Sequence, residues 1–171
     1  MPRAYACDLP QESRLRSSLR RIDHLDSFAV RMSKPTSDMV ELYAAVLDHL
    51  PLAFKHLLTI RSALVHPFGI AGVSFAELTQ PIDTKRVYAV GDRLGRWTLY
   101  HKGAGELISG ADDKHLDFRV SLLRDGCEHV VLSTAVMTHN LFGRAYLTAI
   151  LPFHRFGVAE LLTRASTAGR L

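Results

Sequence analysis

The residues best placed to do chemistry lie between Asp112 and Leu123, a stretch that reads D-D-K-H-L-D-F-R-V-S-L-L. Apolar and polar residues alternate there, so a β-strand would set Asp117 between His115 and Arg119 on one polar face. Side chains two positions apart on a strand lie roughly 6.5 to 7 Å from each other. Asp117 could therefore accept hydrogen bonds from Arg119 or from a cross-strand partner. A solvated outer face is the commoner outcome of such a pattern.

Three further ionisable side chains are candidates for contact with a ligand. His139 ends a long apolar stretch, where it could act as a general base because histidine exchanges protons near neutral pH. His154 lies two residues after Pro152, on the flank of a helical apolar face. Arg61 falls on the apolar face of an earlier helix, where a buried guanidinium needs a carboxylate or a ligand oxyanion. An inert or snorkelling side chain is the plainer alternative at each position.

Sequence motifs for metals, nucleophiles and cofactors are lacking. The histidines include no H-x-H or H-x-x-x-H pair, so we expect no metal site. No G-x-S-x-G motif occurs, and Cys127 follows a turn without an adjacent base. The stretch G-D-R-L-G at residues 91–95 resembles neither a P-loop nor a dinucleotide fingerprint, because no helix follows it to receive phosphate. We therefore expect no cofactor.

The composition is that of an ordinary globular protein of one domain. The chain has 171 residues, of which 47% are hydrophobic and 22% charged. Its formal charge of +4 comes largely from arginines near the two ends, without the aromatic and basic interleaving of a nucleic-acid platform. Two distant cysteines suggest no disulfide framework, and no apolar run approaches the ~20 residues that span a bilayer. We expect a cytoplasmic protein without a nucleic-acid partner or a membrane span, and a basic, flexible tail over residues 1–24.

Hydrophobic periodicity predicts the first elements of the domain. A short apolar strand over residues 27–32 is followed by an amphipathic helix that ends near Leu50. Thr36, Ser37 and Asp38 are the candidate N-caps of this helix, and Glu41 is placed to complete a capping box with Asp38. A second helix is predicted from Pro51 to Val65, because proline is tolerated in a first turn.

The second half of the chain predicts an antiparallel meander followed by one long helix. Turn residues separate four strands, predicted over residues 94–101, 106–110, 116–123 and 128–139. The last helix runs from residue 141 or 142 to about 167, with Asn140 as its N-cap. Pro152 lies inside it, so we expect a kink there.

Four short motifs occur in order along the chain. They are G-D-R-L-G at residues 91–95, D-D-K-H-L-D-F-R-V-S at 112–121, H-N-x-x-G-R at 139–144 and P-F-H-R at 152–155. Together they resemble the bacterial domain of unknown function 2867 family. The order of elements resembles the helix-grip fold of the START-like, or polyketide cyclase (SRPBCC), superfamily. This resemblance implies a single α+β domain over residues 25–171, with a curved antiparallel sheet wrapped around a long kinked C-terminal helix.

The resemblance also implies a function class. Folds of this kind hold ligands between the sheet and the C-terminal helix, so we expect a protein that binds an apolar or amphipathic small molecule without a cofactor. The residues expected to orient the ligand are Arg61, Asp117, Arg119, His139 and His154.

Two other interpretations stay open. One is an enzyme of the cyclase or dehydratase type, with His139 or Asp117 as its acid or base. The other is a module that forms a homodimer through the polar face of the strand. Which face of the strand is turned towards the C-terminal helix decides among them. If Phe118 and Val120 face the helix, Asp117 and Arg119 point away from it.

Overall fold

The computed structural model describes residues 3–34, 36, 38–50, 52, 55–56, 58–59, 62 and 75–171. Within this part of the chain two strands come before the first α-helices, and five consecutive strands lie between those helices and the long last helix. The strands are β1 (Tyr5–Ala6), β2 (His24–Arg31), β3 (Arg93–Leu94), β4 (Trp97–Lys102), β5 (Glu106–Asp112), β6 (Leu116–Asp125) and β7 (His129–Thr138). The helices are α1 (Met39–Leu47), α2 (Phe75–Thr79) and α3 (Leu141–Thr167).

The strands form one sheet in the spatial order β1-β2-β7-β6-β5-β4-β3. Every neighbouring pair is antiparallel. The predicted meander is confirmed as β4 to β7, and the predicted first strand as β2. The sequence did not predict β1 and β3, because a strand of two residues shows no periodicity.

The helix ends follow the predicted caps. The side chain of Asp38 accepts hydrogen bonds from the backbone N–H groups of Val40 and Glu41, and that of Asn140 accepts one from Gly143. Glu41 does not close a capping box, because its carboxylate accepts instead from the Thr36 hydroxyl. The long last helix is confirmed as α3, with Pro152 inside it. Most of the helix predicted over residues 51–65, including Arg61, lies outside the described residues.

The main core lies between the helices and one face of the sheet, here called the inner face. α3 packs on β2 and β7, and α1 packs on β5. Val120 and Leu122 of β6 point into this core together with Leu161 and Leu162 of α3, and Phe118 packs against it. Side chains alternate along a strand, so Asp117 and Arg119 lie on the opposite, outer face.

The N-terminal residues cover part of the outer face. β1 pairs with β2, and a short 3-10 helix at Arg14–Ser17 contacts β6 and β7. Leu9 and Leu15 are buried there against Ile108 and Ala135. The sequence predicted a flexible tail because arginines dominate this region. In the structure two buried leucines, the β1–β2 pairing and hydrogen bonds to Glu106 join these residues to the sheet.

Candidate functional site

Asp117 and His139 meet at one end of the sheet, on its outer face. Asp117 is near the start of β6, and His139 directly follows β7. The Nε2 atom of His139 lies 2.9 Å from the Oδ1 atom of Asp117, and the two side chains are 34% and 16% exposed. A carboxylate bound to one ring nitrogen orients an imidazole and leaves Nδ1 to exchange a proton. This pair has the geometry of an acid–base dyad that solvent can reach.

Arg119 lies beside this pair in a second network. Its Nη1 atom donates to the Oδ1 atom of Asp112 at 2.6 Å, and its guanidinium carbon lies 3.5 Å from the centre of the Tyr100 ring. The Tyr100 hydroxyl donates to the other oxygen of Asp112 at 2.9 Å. Burial raises the pKa of the Asp112 carboxyl, but the hydrogen bonds from Arg119 and Tyr100 outweigh it and hold the pKa below its ordinary value. We call Tyr100, Asp112, Asp117, Arg119 and His139 the outer site.

Two irregularities of the sheet shape the outer site. The register of β4 and β5 shifts between Leu99 and His101, so Tyr100 is the bulged residue. Bulges redirect side chains and are frequent near functional sites. On β5, a Cβ atom at Gly110 would overlap the carbonyl oxygen of Phe118 and approach the Arg119 side chain. A glycine is therefore needed where Arg119 crosses towards Tyr100.

Two of the sequence motifs meet where the loop before β6 contacts the residues that follow β7. Its backbone N–H donates to the carbonyl oxygen of His115 at 2.8 Å, and the Asn140 side chain donates to the carbonyl oxygen of Lys114 at 3.2 Å. A Cβ atom at Gly143 would overlap that same His115 oxygen. The D-D-K-H-L-D-F-R-V-S and H-N-x-x-G-R motifs thus form one packed corner, which fixes the position of His139.

A separate polar cluster lies on the inner face, between β2 and α3. Asp26 is 8% exposed, and its two oxygens lie 3.1 Å from Nε2 of His24 and 3.4 Å from Nε2 of His154. The Nε atom of Arg155 lies 3.7 Å from the same carboxylate. Burial raises the pKa of the Asp26 carboxyl, but the hydrogen bonds from His154 and His24 outweigh it and hold the pKa below its ordinary value.

Thr134 extends this cluster onto β7. It pairs directly with Asp26, so the two side chains lie on the same face of the sheet. Thr134 is 4% exposed, and its Oγ1 atom has no hydrogen-bond partner among the residues that the structure describes. Buried hydroxyls are normally hydrogen-bonded, which makes this group a candidate for contact with a ligand. We call His24, Asp26, Thr134 and His154 the inner site.

An apolar surface adjoins the inner site. His24 pairs with Val136, and Val136 pairs with Phe118 on the next strand. The rings of Phe118 and Trp97 meet edge to face with their centres 5.4 Å apart. Both rings are only partly buried. The inner face thus has an apolar platform, formed by the partly buried Phe118 and Trp97 rings beside the buried Val136, with polar groups at its β2 end.

A family model described as "Protein of unknown function (DUF2867)" matches residues 18–161. The chain belongs to this family. The comparisons found no matching curated protein and no matching solved structure. The matched DUF2867 region contains every residue of the outer and inner sites. Because the family description states no activity, the function has to be argued from these two sites.

The DUF2867 fold brings together some of the predicted site residues and separates others. Asp117, Arg119 and His139 lie together in the outer site, whereas His154 lies on the inner face. Arg61 is outside the described residues. Sequence analysis did not identify Asp26, although His24, Asp26, Phe28 and Val30 alternate with other residues along β2. This alternation was the available signal, since the predicted strand began one residue after Asp26.

The other described features of this DUF2867 protein add little to these two sites. In residues 3–34, 75–171 and the described positions between them, no three His, Cys, Asp or Glu side chains are placed to hold a metal ion. None of the helices described here is long and apolar enough to cross a membrane. A shallow pocket beside α1, lined partly by Tyr43, Asp48 and Arg96, has room for about one water molecule.

Proposed function

We propose that this protein binds an amphipathic small molecule between α3 and the inner face of the sheet. The supporting observation is the inner site, where the buried Asp26 carboxylate contacts one histidine from the sheet and one from the helix. Beside it lies the Thr134 hydroxyl, which has no hydrogen-bond partner in the described part of the chain. A buried polar group without a partner is costly, so a ligand that satisfies it gains affinity. The imidazoles of His24 and His154 are 12% and 27% exposed, which leaves them accessible.

The platform beside the inner site would supply most of the binding energy. Apolar surface removed from water contributes about 25 cal/mol per Å². The partly buried Phe118 and Trp97 rings present such surface next to the polar groups, so the two parts suit a molecule with one polar end and one apolar body.

We also propose that the fold is the helix-grip fold of the START-like superfamily. The support is the element order, in which a meander of antiparallel strands precedes one long C-terminal helix that packs on the same sheet. In that arrangement the ligand lies between sheet and helix, where the inner site is found.

Thr134→Val is expected to lower ligand retention without destabilising the protein. Valine has nearly the same shape and removes a buried hydroxyl that none of the described residues bonds, so the free energy of unfolding should stay equal or rise by about 1 kcal/mol. Freshly purified protein should show excess mass in native mass spectrometry that disappears on denaturation. We expect the retained fraction to fall about tenfold in the variant, since one lost hydrogen bond is about 1.4 kcal/mol.

Thr98→Val on β4 is the matched control, because Thr98 pairs with Gly110 and so lies on the outer face. It should retain as much ligand as the wild type. Binding at the inner site would be contradicted if the native mass of the wild type showed no excess over the denatured mass, or if the two variants lost equal amounts of ligand. The same spectra test the predicted homodimer.

A second candidate function is acid–base catalysis at the outer site, favoured by the 2.9 Å contact between His139 and Asp117. In hydrolysis of p-nitrophenyl acetate, Nδ1 of His139 would take a proton from water as the water oxygen attacks the ester carbonyl. p-Nitrophenolate then leaves, and the imidazolium returns the proton to solvent. General-base catalysis contributes typically about 10²-fold or more to the rate.

His139→Gln and Asp117→Asn are therefore each expected to slow this hydrolysis at least about tenfold. His129→Gln is the control, because His129 is at the opposite end of β7 and should leave the rate unchanged. Circular dichroism verifies that each variant is folded. Equal rates for all three variants would exclude a catalytic outer site.

A further inference from the structure

We infer that the ligand of the inner site has a neutral hydrogen-bond donor, such as an alcohol or a phenol, at its polar end. This inference rests on the proposed binding function and specifies the chemistry of the ligand. It follows from the way in which Asp26 orients the two histidines.

The first step concerns the protons on His24 and His154. Both rings turn their Nε2 atoms towards the Asp26 carboxylate, at 3.1 and 3.4 Å. A carboxylate accepts hydrogen bonds, so Nε2 of each ring has a proton, and the tautomer with its proton on Nε2 has a lone pair on Nδ1. Within the described part of the chain neither Nδ1 atom has a hydrogen-bond partner. The histidines therefore offer two acceptors to a ligand.

The second step concerns the charge of the ligand. The Asp26 carboxylate lies at the centre of the site and is 8% exposed, so a carboxylate or phosphate placed there would be repelled in a region of low dielectric constant. A cation gains little, because both Asp26 oxygens already face histidines and Arg155 lies 3.7 Å from one of them. With neutral imidazoles the formal charges of Asp26 and Arg155 cancel, which favours a neutral polar group.

The third step is the Thr134 hydroxyl, which pairs across the strands with Asp26 and has no partner among the described residues. A ligand hydroxyl can donate to one imidazole and accept from Thr134 at the same time. An ether could only accept, and would leave the histidine nitrogens unsatisfied. A single alcohol group is thus complementary to both features of the site.

The fourth step is the shape of the apolar part. Val136 and Phe118 extend from His24 across two neighbouring strands, each about 4.8 Å from the next. Trp97 continues this platform beyond Phe118. The apolar body of the ligand should therefore extend about 10 Å or more from its polar end.

The test uses Trp97, which is the only tryptophan of the chain and lies on the platform. Its emission is measured while the full-length protein is titrated with decan-1-ol, 1-methoxydecane, decanoate or decylammonium. These probes share one apolar chain and differ in the polar end. We expect decan-1-ol to bind about tenfold more tightly than each of the other three. Thr134→Val should weaken decan-1-ol and the ether alike, by about threefold or more, because both accept from this hydroxyl, whereas the preference for the alcohol should remain because it comes from donation to a histidine. Thr98→Val should leave both affinities unchanged.

The possible outcomes separate the inference from the proposed function. Equal affinities for the four probes would leave binding at the platform in place and overturn the donor inference. Tightest binding of decanoate or decylammonium would also overturn it. If no probe changes the Trp97 emission and the native mass shows no excess over the denatured mass, the binding function itself is excluded.

Discussion

Gly143→Ala is expected to lower the free energy of unfolding by about 3 kcal/mol, measured by urea denaturation followed by circular dichroism. A Cβ atom at this position would overlap the carbonyl oxygen of His115, closer than real Cβ atoms approach. Neither partner can move aside easily, because the clash involves backbone and not the end of a flexible side chain. The start of α3 would have to shift away from the loop before β6.

The matched control is Gly105→Ala. A Cβ atom at Gly105 meets nothing within 4 Å, and its backbone is not in the left-handed region. This substitution should change the free energy of unfolding by less than about 1 kcal/mol. If Gly143→Ala is as stable as Gly105→Ala, the close packing of α3 against the His115 loop is refuted.

Gly143→Ala should also affect the outer site. His139 is held through its N–H bond to His115 and is followed by the Asn140 cap. A shift of α3 would therefore change the 2.9 Å contact between His139 and Asp117. Gly143→Ala should lower any hydrolysis that depends on His139, although Gly143 contacts no substrate in that mechanism.

Local patterns along the chain were sufficient to predict most of the fold. Alternation in β6 and β7 and the apolar periodicity of α3 identified these elements, because each is long enough to repeat its pattern several times. The Asn140 and Asp38 caps were also predictable, since a cap depends on residues within one turn. The docking of residues 9–15 was not predictable, because only two leucines indicate it.

The outer and inner sites also differ in how much of each could be predicted from the sequence. Asp117, Arg119 and His139 were identified as polar residues at strand positions, but the position of Tyr100 beside Arg119 depends on a bulge in β4. The inner site depends on contacts between residues more than 100 positions apart in sequence. A single sequence contains no signal for such register and packing, so the pairing of Asp26 with Thr134 and the contact of Asp26 with His154 became visible only in the folded chain.

The sites are close in space although they lie on opposite faces of the sheet. Phe118 of the inner platform is between Asp117 and Arg119 of the outer site on β6. Strand alternation alone produces this arrangement, since adjacent residues point to opposite faces. A substitution at Phe118 could therefore disturb both sites through the backbone, whereas Thr134→Val and His139→Gln are single changes that test each site separately.

The second large effect is expected at Glu106, a buried carboxylate beneath the N-terminal residues. One of its oxygens accepts from the hydroxyls of Ser13 and Ser121, both at 2.6 Å, and the other accepts from the backbone N–H of Arg14 at 2.8 Å. Glu106→Ala would leave three donors without this acceptor. Because each unsatisfied buried donor costs about 1 to 3 kcal/mol, we expect the free energy of unfolding to fall by about 3 kcal/mol or more.

The expected change begins locally, because detachment of the 3-10 helix at Arg14–Ser17 lets water reach these donors. Hydrogen exchange of the Arg14 and Leu15 amides should accelerate before that of β6. Glu128→Ala is the control, since Glu128 is 61% exposed and its ion pair with Arg31 contributes about 1 kcal/mol at most. Equal stability of the two variants would show that the leucines alone dock the N-terminal residues, and that the Glu106 carboxylate is buried without contributing to that contact.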